Sequence, residues 1–432
     1  MLRVQKSLLN LVLATVLACP KPAPAADQVL ILGDSLSKEY SLEFALDGYP
    51  ASVINWIEIL GQLRGDDMDV GSGGAILDSR FLFFKQQYNW AIPGGKIEDF
   101  VEIITQGGFA NNNARNSIAS QLQNNVERFV LFVGGNDSDS KYAAPYNGTG
   151  NWDSFIAQFV SDCESVIDWA MTQNPNLEFA LVNVPHVGIT PKVKGEYPPD
   201  PVKTGRVTTE YIKLNNALLT LAQTKDIAYA DIFTETLDLL GPDPLCIHGV
   251  PFSNTGSASG NLNNVWLAGN LSDNFHPNTN GNALIANRIL EAFNLHYDSG
   301  LKLLTTEEIL ETLLSKNADI SYNDWLTCYG LAGTSENYLL HFGLGIDPRR
   351  PDPNRLPRWE LTPTTASLTY RPRLSEPSSI IQVIGQYSDD LNTWINATNG
   401  QVTMNPDGSL TYQIDATARN RFQRLATIGL PQ

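Results

Sequence analysis

One serine set in a glycine turn, and one of five histidines, are the residues of this chain best suited to covalent chemistry. Ser35 stands in Val29-Leu30-Ile31-Leu32-Gly33-Asp34-Ser35-Leu36-Ser37, an apolar run that reads as a buried strand and ends in a Gly-Asp-Ser turn. Such a turn puts Ser35 at the carboxyl end of the strand, where open parallel sheets form their ligand crevices. Gly, Asp and Ser are also ordinary turn formers, so the turn alone does not separate a nucleophile from a plain connection. A serine hydroxyl attacks at neutral pH only with a base in hydrogen-bond reach, a group that orients the base, and donors for the oxyanion. His276, in Ser272-Asp273-Asn274-Phe275-His276-Pro277, has an acid three residues before it. In a tight turn that spacing can bring the Asp273 carboxylate to Nδ1 and leave Nε2 free to take the Ser35 proton.

Two more stretches offer donors. Tyr88-Asn89-Trp90-Ala91-Ile92-Pro93-Gly94-Gly95 ends in paired glycines, where a backbone N–H can approach a ligand with no Cβ in the way. Phe129-Val130-Leu131-Phe132-Val133-Gly134-Gly135-Asn136-Asp137 is a second buried strand whose glycine turn presents the Asn136 amide. Taken together and in this order, Gly33-Asp34-Ser35-Leu36, Asn89-Trp90-Ala91 through Gly94, Gly134-Gly135-Asn136-Asp137 and Asp273 through His276-Pro277 resemble the four blocks of the GDSL esterases and lipases, the SGNH hydrolases. The resemblance covers Asp27 to Leu295. It implies a Ser35-His276-Asp273 triad and an oxyanion hole formed by the Ser35 N–H, the Gly94 N–H and the Asn136 side chain. It also implies a three-layer αβα fold on a flavodoxin-like parallel sheet. A nucleophile elbow, Gly-x-Ser-x-Gly, does not occur, which disfavours the α/β-hydrolase fold.

The elements that must position these groups follow in register. Apolar strands are expected at 29–32, 130–133, 179–184 and 227–232, with amphipathic helices at 53–63, 152–172, 209–223 and 280–293, an alternation that argues a parallel sheet covered on both faces. His186, after the third strand, reads as a loop histidine bordering the cleft rather than a base. The Gly/Asn/Ser-rich stretch Leu240 to Leu271 is too long for a plain connection. It reads as a cleft border, with Phe252 and Trp266 as wall residues, or else as a surface loop.

The first residues carry Arg3 and Lys6, then an apolar run from Leu8 to Ala18 and a small-residue site at Ala23-Pro24-Ala25. This reads as a secretory signal over residues 1–25. A second reading is a lipoprotein box, Val16-Leu17-Ala18-Cys19, with Cys19 lipidated. Both export the chain, to a periplasmic or extracellular site. The formal charge is −17, and loss of Arg3, Lys6 and Lys21 with the leader makes it three units more negative, which argues against nucleic acid as a partner. Beyond the leader no apolar run is long enough to cross a bilayer. Three cysteines remain, Cys163, Cys246 and Cys328, enough for one disulfide; burial as small apolar residues is the default expectation. No metal ligand set and no cofactor motif are recognised.

The expected organisation is a hydrolase domain over 26–299, a helical and Pro-rich linker over 300–357, and a β-sandwich-like module over 358–432. Thr305-Thr306-Glu307-Glu308 is a capping-box pattern opening a helix through Leu314. The run Asn337 to Pro348 resembles joining segments of exported planctomycete and verrucomicrobial proteins. Strand patterns at 367–370, 380–386, 401–404 and 409–414 form the module, with Trp394 and Phe422 as core residues, or Trp394 as a sugar-stacking ring. The functional expectation is a cofactor-free serine esterase acting on short acyl esters, O-acetyl groups of polysaccharide among them. Its alternatives are lipase or phospholipase action on long acyl chains, and a binding protein whose hydrolase domain is idle.

Overall fold

The computed structural model describes residues 27–75, 84–318, 320–332, 336–346, 348, 356–362, 364–371, 382–389, 391–405, 409–415 and 422–428. The expected leader, most of Asp347–Pro357 and residues 406–408 lie outside them, as does the side chain of Phe422.

Strands Gln28–Gly33, Val126–Phe132, Glu178–Val182 and Ala228–Ala230 form one parallel sheet in that spatial order. Their apolar runs are continuous because both faces are covered. Val29, Ile31, Val130, Phe132, Ala180 and Val182 join one core with the helices Trp56–Leu63 and Thr279–Tyr297. Leu30, Leu32, Phe129, Leu131, Phe179 and Leu181 join a second with the helices Ile97–Thr105, Phe109–Asn124, Asp153–Gln173 and Pro201–Lys225. Alternating side chains on a doubly covered strand give this three-layer αβα body. The expected strands and helices fall inside these elements or within a few residues of them, and the longest helix begins at Pro201 because Asp200 caps it.

The 240–271 insertion is a small sheet, Leu245–Ile247, Val250–Ser257 and Asn264–Leu267. Phe252, expected on a cleft wall, is instead fully buried in the first core. Its last strand matters to the site: the Leu267 N–H donates to the His276 carbonyl at 3.0 Å.

The segment after Ser299 differs from a tether. Leu301, Leu303, Leu304, Ile309, Leu310, Leu313 and Leu314 are buried in the first core. The capping box forms, with Glu308 N–H on Thr305 Oγ1 at 3.1 Å and Thr305 N–H on Glu308 Oε2 at 2.8 Å. Arg64 at the end of the Trp56–Leu63 helix binds Glu308 through two nitrogens, at 3.0 and 2.6 Å, and donates to the Lys302 and Leu303 carbonyls. Cys246 and Cys328 are joined in a disulfide, which ties the insertion to the helix Tyr322–Cys328; Cys163 is free and buried. Burial alone therefore describes only one of the three cysteines.

Beyond the helix Glu336–Leu344 lies the β-module. One antiparallel sheet holds Arg358–Leu361, Thr365–Tyr370, Leu410–Asp415 and Val402–Met404, and the other Ile395–Asn396, Gln382–Ser388 and Phe422–Ile428. Tyr370, Tyr412 and Ile414 meet Val383 between them, and Leu344 and Ile346 plug the same core. Gly385 leaves room for the Tyr412 ring, which a Cβ there would strike.

Candidate active site

Ser35 and Asn136 each follow a strand of the parallel sheet into a glycine turn at its carboxyl edge, and His276 comes to the same edge on a turn that has no glycine. The Gln28–Gly33 strand ends at Gly33, where a Cβ would lie 2.6 Å from Ser37 and 2.8 Å from the Phe132 carbonyl, so only glycine lets the two strands approach this closely. A single helical turn, Ser35–Ser37, follows; Asp34 caps it by accepting the Leu36 N–H at 2.9 Å. Asp34 is buried, and burial first, with Asp137 adding to it, raises its carboxyl to about 7. Its work is local: it fixes the turn that aims Ser35.

The Tyr88–Ile92 segment runs beside that strand, with the Trp90 N–H on the Ile31 carbonyl at 2.8 Å and the Ile92 N–H on the Gly33 carbonyl at 2.9 Å. Asn89 reaches across and donates to the Ser37 carbonyl at 2.9 Å. Gly94 then adopts φ 71°, in open space and exposed. Gly134 has φ 125°, and a Cβ there would overlap Val184 and Phe159. It starts the short helix Gly135–Asp139 that carries Asn136, whose Nδ2 donates to the Gly95 carbonyl at 3.1 Å. That bond joins the Gly94-Gly95 turn to the Asn136 turn.

The structure brings Ser35 and His276 together: Oγ lies 2.7 Å from Nε2, and both residues are buried. It places Asp273 elsewhere. The His276 Nδ1 proton goes to the Ser272 carbonyl at 2.8 Å. The Phe275 N–H also donates to that carbonyl, at 3.1 Å, which closes a tight turn with Asp273 and Asn274 at its centre. Both central residues have positive φ, 50° and 54°, a conformation that Asp and Asn accept more readily than other non-glycine residues. The Asp273 side chain is 63% exposed and pairs with Lys192 at 3.2 Å. The spacing that suggested a His–Asp bond serves this turn, which presents a main-chain carbonyl to the imidazole and directs the carboxylate outward.

With Nδ1 donating, Nε2 is the acceptor that a general base needs. Burial pulls the His276 pKa down to about 4; the Ser272 bond and the Asp273 and Asp47 charges oppose this, and Lys192 adds to it. The imidazole is therefore neutral, and able to take a proton, across the ordinary pH range. His186 is buried too, accepts the Gly188 N–H at Nδ1 (3.1 Å), and stacks on Tyr211; burial lowers its pKa to about 3. It holds its loop and borders the cleft, as expected: it lines the same cavity as Leu36, Gly135 and Phe275.

A cavity of about 60 Å³ adjoins these turns. Leu36 after Ser35, Gly135 before Asn136, and Phe275 and Pro277 on either side of His276 line it, with Trp266 from the insertion. Its surface is apolar.

A family model described as GDSL-like lipase/acylhydrolase matches residues 29–289. The chain belongs to that family. It is an ester-hydrolysing enzyme, and the four motifs lie within the matched span. Similar solved structures include phospholipase A1 from Streptomyces albidoflavus NA297, at 15% identity over 63% of this chain and 100% of the other, with a TM-score of 0.37. The extracellular lipase of Streptomyces rimosus shows 13% identity over 63% and 99%, with a TM-score of 0.37. An acetylxylan esterase of Geobacillus stearothermophilus shows 10% over 62% and 94%, with a TM-score of 0.35. Comparison with curated proteins finds no match.

The residues that sequence reasoning missed are those that aim His276. A main-chain acceptor such as the Ser272 carbonyl has no residue-type signature. The Asp-Asn pair after Ser272 was a turn signal in its own right.

Proposed function

We propose that this GDSL acylhydrolase is an exported serine esterase in which Ser35 is the nucleophile and His276 the general base. The observation that carries the reading is the 2.7 Å contact between Ser35 Oγ and His276 Nε2 at the carboxyl edge of the sheet. Oγ attacks the ester carbonyl while Nε2 takes its proton. The carbonyl oxygen, now negative, lies among the Ser35 N–H, the Gly94 N–H and the Asn136 amide, donors of the kind that stabilise such charge. As the intermediate collapses, the C–O bond to the alcohol breaks and His276 returns the proton to the leaving oxygen. Water then enters and gives a proton to Nε2 as its oxygen adds to the acyl carbon; the C–O bond to Ser35 breaks, His276 returns that proton to Oγ, and the acid leaves.

His276 keeps its tautomer through the bond to the Ser272 carbonyl, which supplies orientation without a full negative charge. The leader pattern and the Cys246–Cys328 disulfide support export, since disulfides persist in oxidising compartments. Short acyl esters, including acetylated polysaccharide, are the substrates proposed first. One observation favours a second reading, action on longer acyl chains: the lining of the cavity that flanks these turns is apolar. A p-nitrophenyl ester series of rising chain length, run beside acetylated xylan, separates the two by where kcat/KM peaks. Ser35→Ala is expected to abolish turnover of every ester while the protein stays folded, and residual activity within tenfold of the parent would refute the nucleophile assignment.

A further inference from the structure

Four residues before His276 the chain is held by a stretch that none of the four motifs contains. Asp47 closes the helical turn Ala45–Asp47, and Gly48 after it takes φ 69°. The Asp47 carboxylate accepts the Leu271 N–H at 3.1 Å on each oxygen and the Ser272 N–H at 3.2 Å. The Tyr49 hydroxyl lies 2.6 Å from Ser272 Oγ, and the Gly269 N–H donates to both, at 2.6 and 2.9 Å. Ser272 is fully buried, while Asp47 and Tyr49 are half-buried. Gly269 has to be glycine, because a Cβ there would overlap the Asp47 carboxylate and the Tyr49 hydroxyl.

The same bonds reach the acceptor of the catalytic histidine. The peptide whose carbonyl receives the His276 proton donates its own N–H, that of Asp273, to the Gly269 carbonyl at 3.0 Å. Ser272 is thus gripped at its N–H, at its Oγ and at the following peptide, leaving its carbonyl one direction to face. From the same stretch the Phe44 ring packs edge-on against the imidazole, with centroids 4.9 Å apart.

We propose that Asp47 and Tyr49 are positioning residues of the esterase: together they lock Ser272 so that its carbonyl fixes the tautomer and aim of His276. The proposal rests on the assignment of Ser35 and His276 given above. A main-chain carbonyl can replace an orienting carboxylate only if the peptide that bears it does not move, and a type of turn with two left-handed residues is strained enough to need outside support. Five hydrogen bonds to a neighbouring segment supply it.

The test uses the full chain with p-nitrophenyl acetate as substrate, and compares Asp47→Asn, Tyr49→Phe and the double variant with the parent. Catalytic sites are counted by titration with a fluorophosphonate, so that kcat is referred to folded, reactive enzyme. The double variant is expected to lose kcat by about 10²-fold, the scale of a small misplacement of a reacting group, with KM nearly unchanged. Each single variant is expected to lose less. The low-field Nδ1 proton resonance of His276 is expected in the parent and to broaden or vanish in the double variant, a readout that a purely structural role would leave in place. Tyr49→Phe removes one oxygen and no carbon, so it keeps the test valid if the double variant does not fold. The proposal is overturned if kcat per titrated site and the Nδ1 resonance are unchanged in folded variants, or if activity falls only with the number of titratable sites. Ser35→Ala, assayed alongside, separates the two claims: full activity there would refute the nucleophile assignment, whatever Asp47 and Tyr49 do.

Discussion

Two segments follow the four motifs, and they relate to the catalytic body in different ways. Residues 301–314 place seven leucine and isoleucine side chains in the core that also holds Val29 and Ile31 of the strand leading to Ser35. The module beginning at Arg358 has its own core of Tyr370, Val383, Tyr412 and Ile414, and reaches back through Leu344 and Ile346. It also leaves Trp359 and Leu361 exposed on its first strand. Order along the chain does not define the catalytic unit; what defines it is where the apolar side chains are buried.

The largest consequence concerns truncation. A chain ending at Gly300 exposes the core surface that the 301–314 residues cover, and each such side chain is worth about 1.5–3 kcal/mol before the entropy of ordering it is set against the gain. That sum is comparable with the whole stability of a domain, about 5–15 kcal/mol. We expect this chain to be insoluble or unfolded by circular dichroism. A folded, active product would return the boundary to residue 299. Next in size is Cys246→Ser with Cys328→Ser. Opening a cross-link that spans 82 residues is expected to cost about 2–5 kcal/mol in denaturant unfolding, with kcat little altered at 25 °C. Smallest is removal of the module. A chain ending at Gly343 keeps Phe342 in its cluster with Tyr322 and Trp325, and is expected to cleave p-nitrophenyl acetate at the parent rate. Loss of that activity in a folded product would make the module part of the catalytic unit.

Much of this architecture is readable in the residues. The doubly buried strands announce themselves as continuous apolar runs, and two of the four motifs follow such runs into glycine turns. Thr305 and Glu308 form the capping box that their spacing suggests, yet the pattern does not say that the helix it opens is sunk into the hydrolase core. That depends on Arg64, whose bonds to Glu308 span 244 positions. The same limit hides the aim of His276. Asp273 three residues before a histidine fits both a triad and a turn, and the choice is made by backbone angles and by Asp47 and Tyr49, more than 220 positions away. Local spacing cannot carry contacts of that range. Side-chain type, moreover, says nothing of a carbonyl.

In the proposed mechanism a main-chain carbonyl, and no carboxylate, orients His276 as the base. Asp273→Asn tests it most directly, through kcat/KM for p-nitrophenyl acetate measured from pH 3 to 9 beside the parent. His276 must be neutral to accept the Ser35 proton, and its pKa is lowered from 6.5 to about 4, so activity is expected to persist in acid and fall only as the pH drops through that lower value. Because the Asp273 carboxylate is exposed and screened, the variant is expected to stay within about threefold of the parent at every pH above this limb. A loss approaching about 10⁴-fold, the effect of neutralising a triad carboxylate, would refute orientation by the Ser272 carbonyl and return Asp273 to the imidazole.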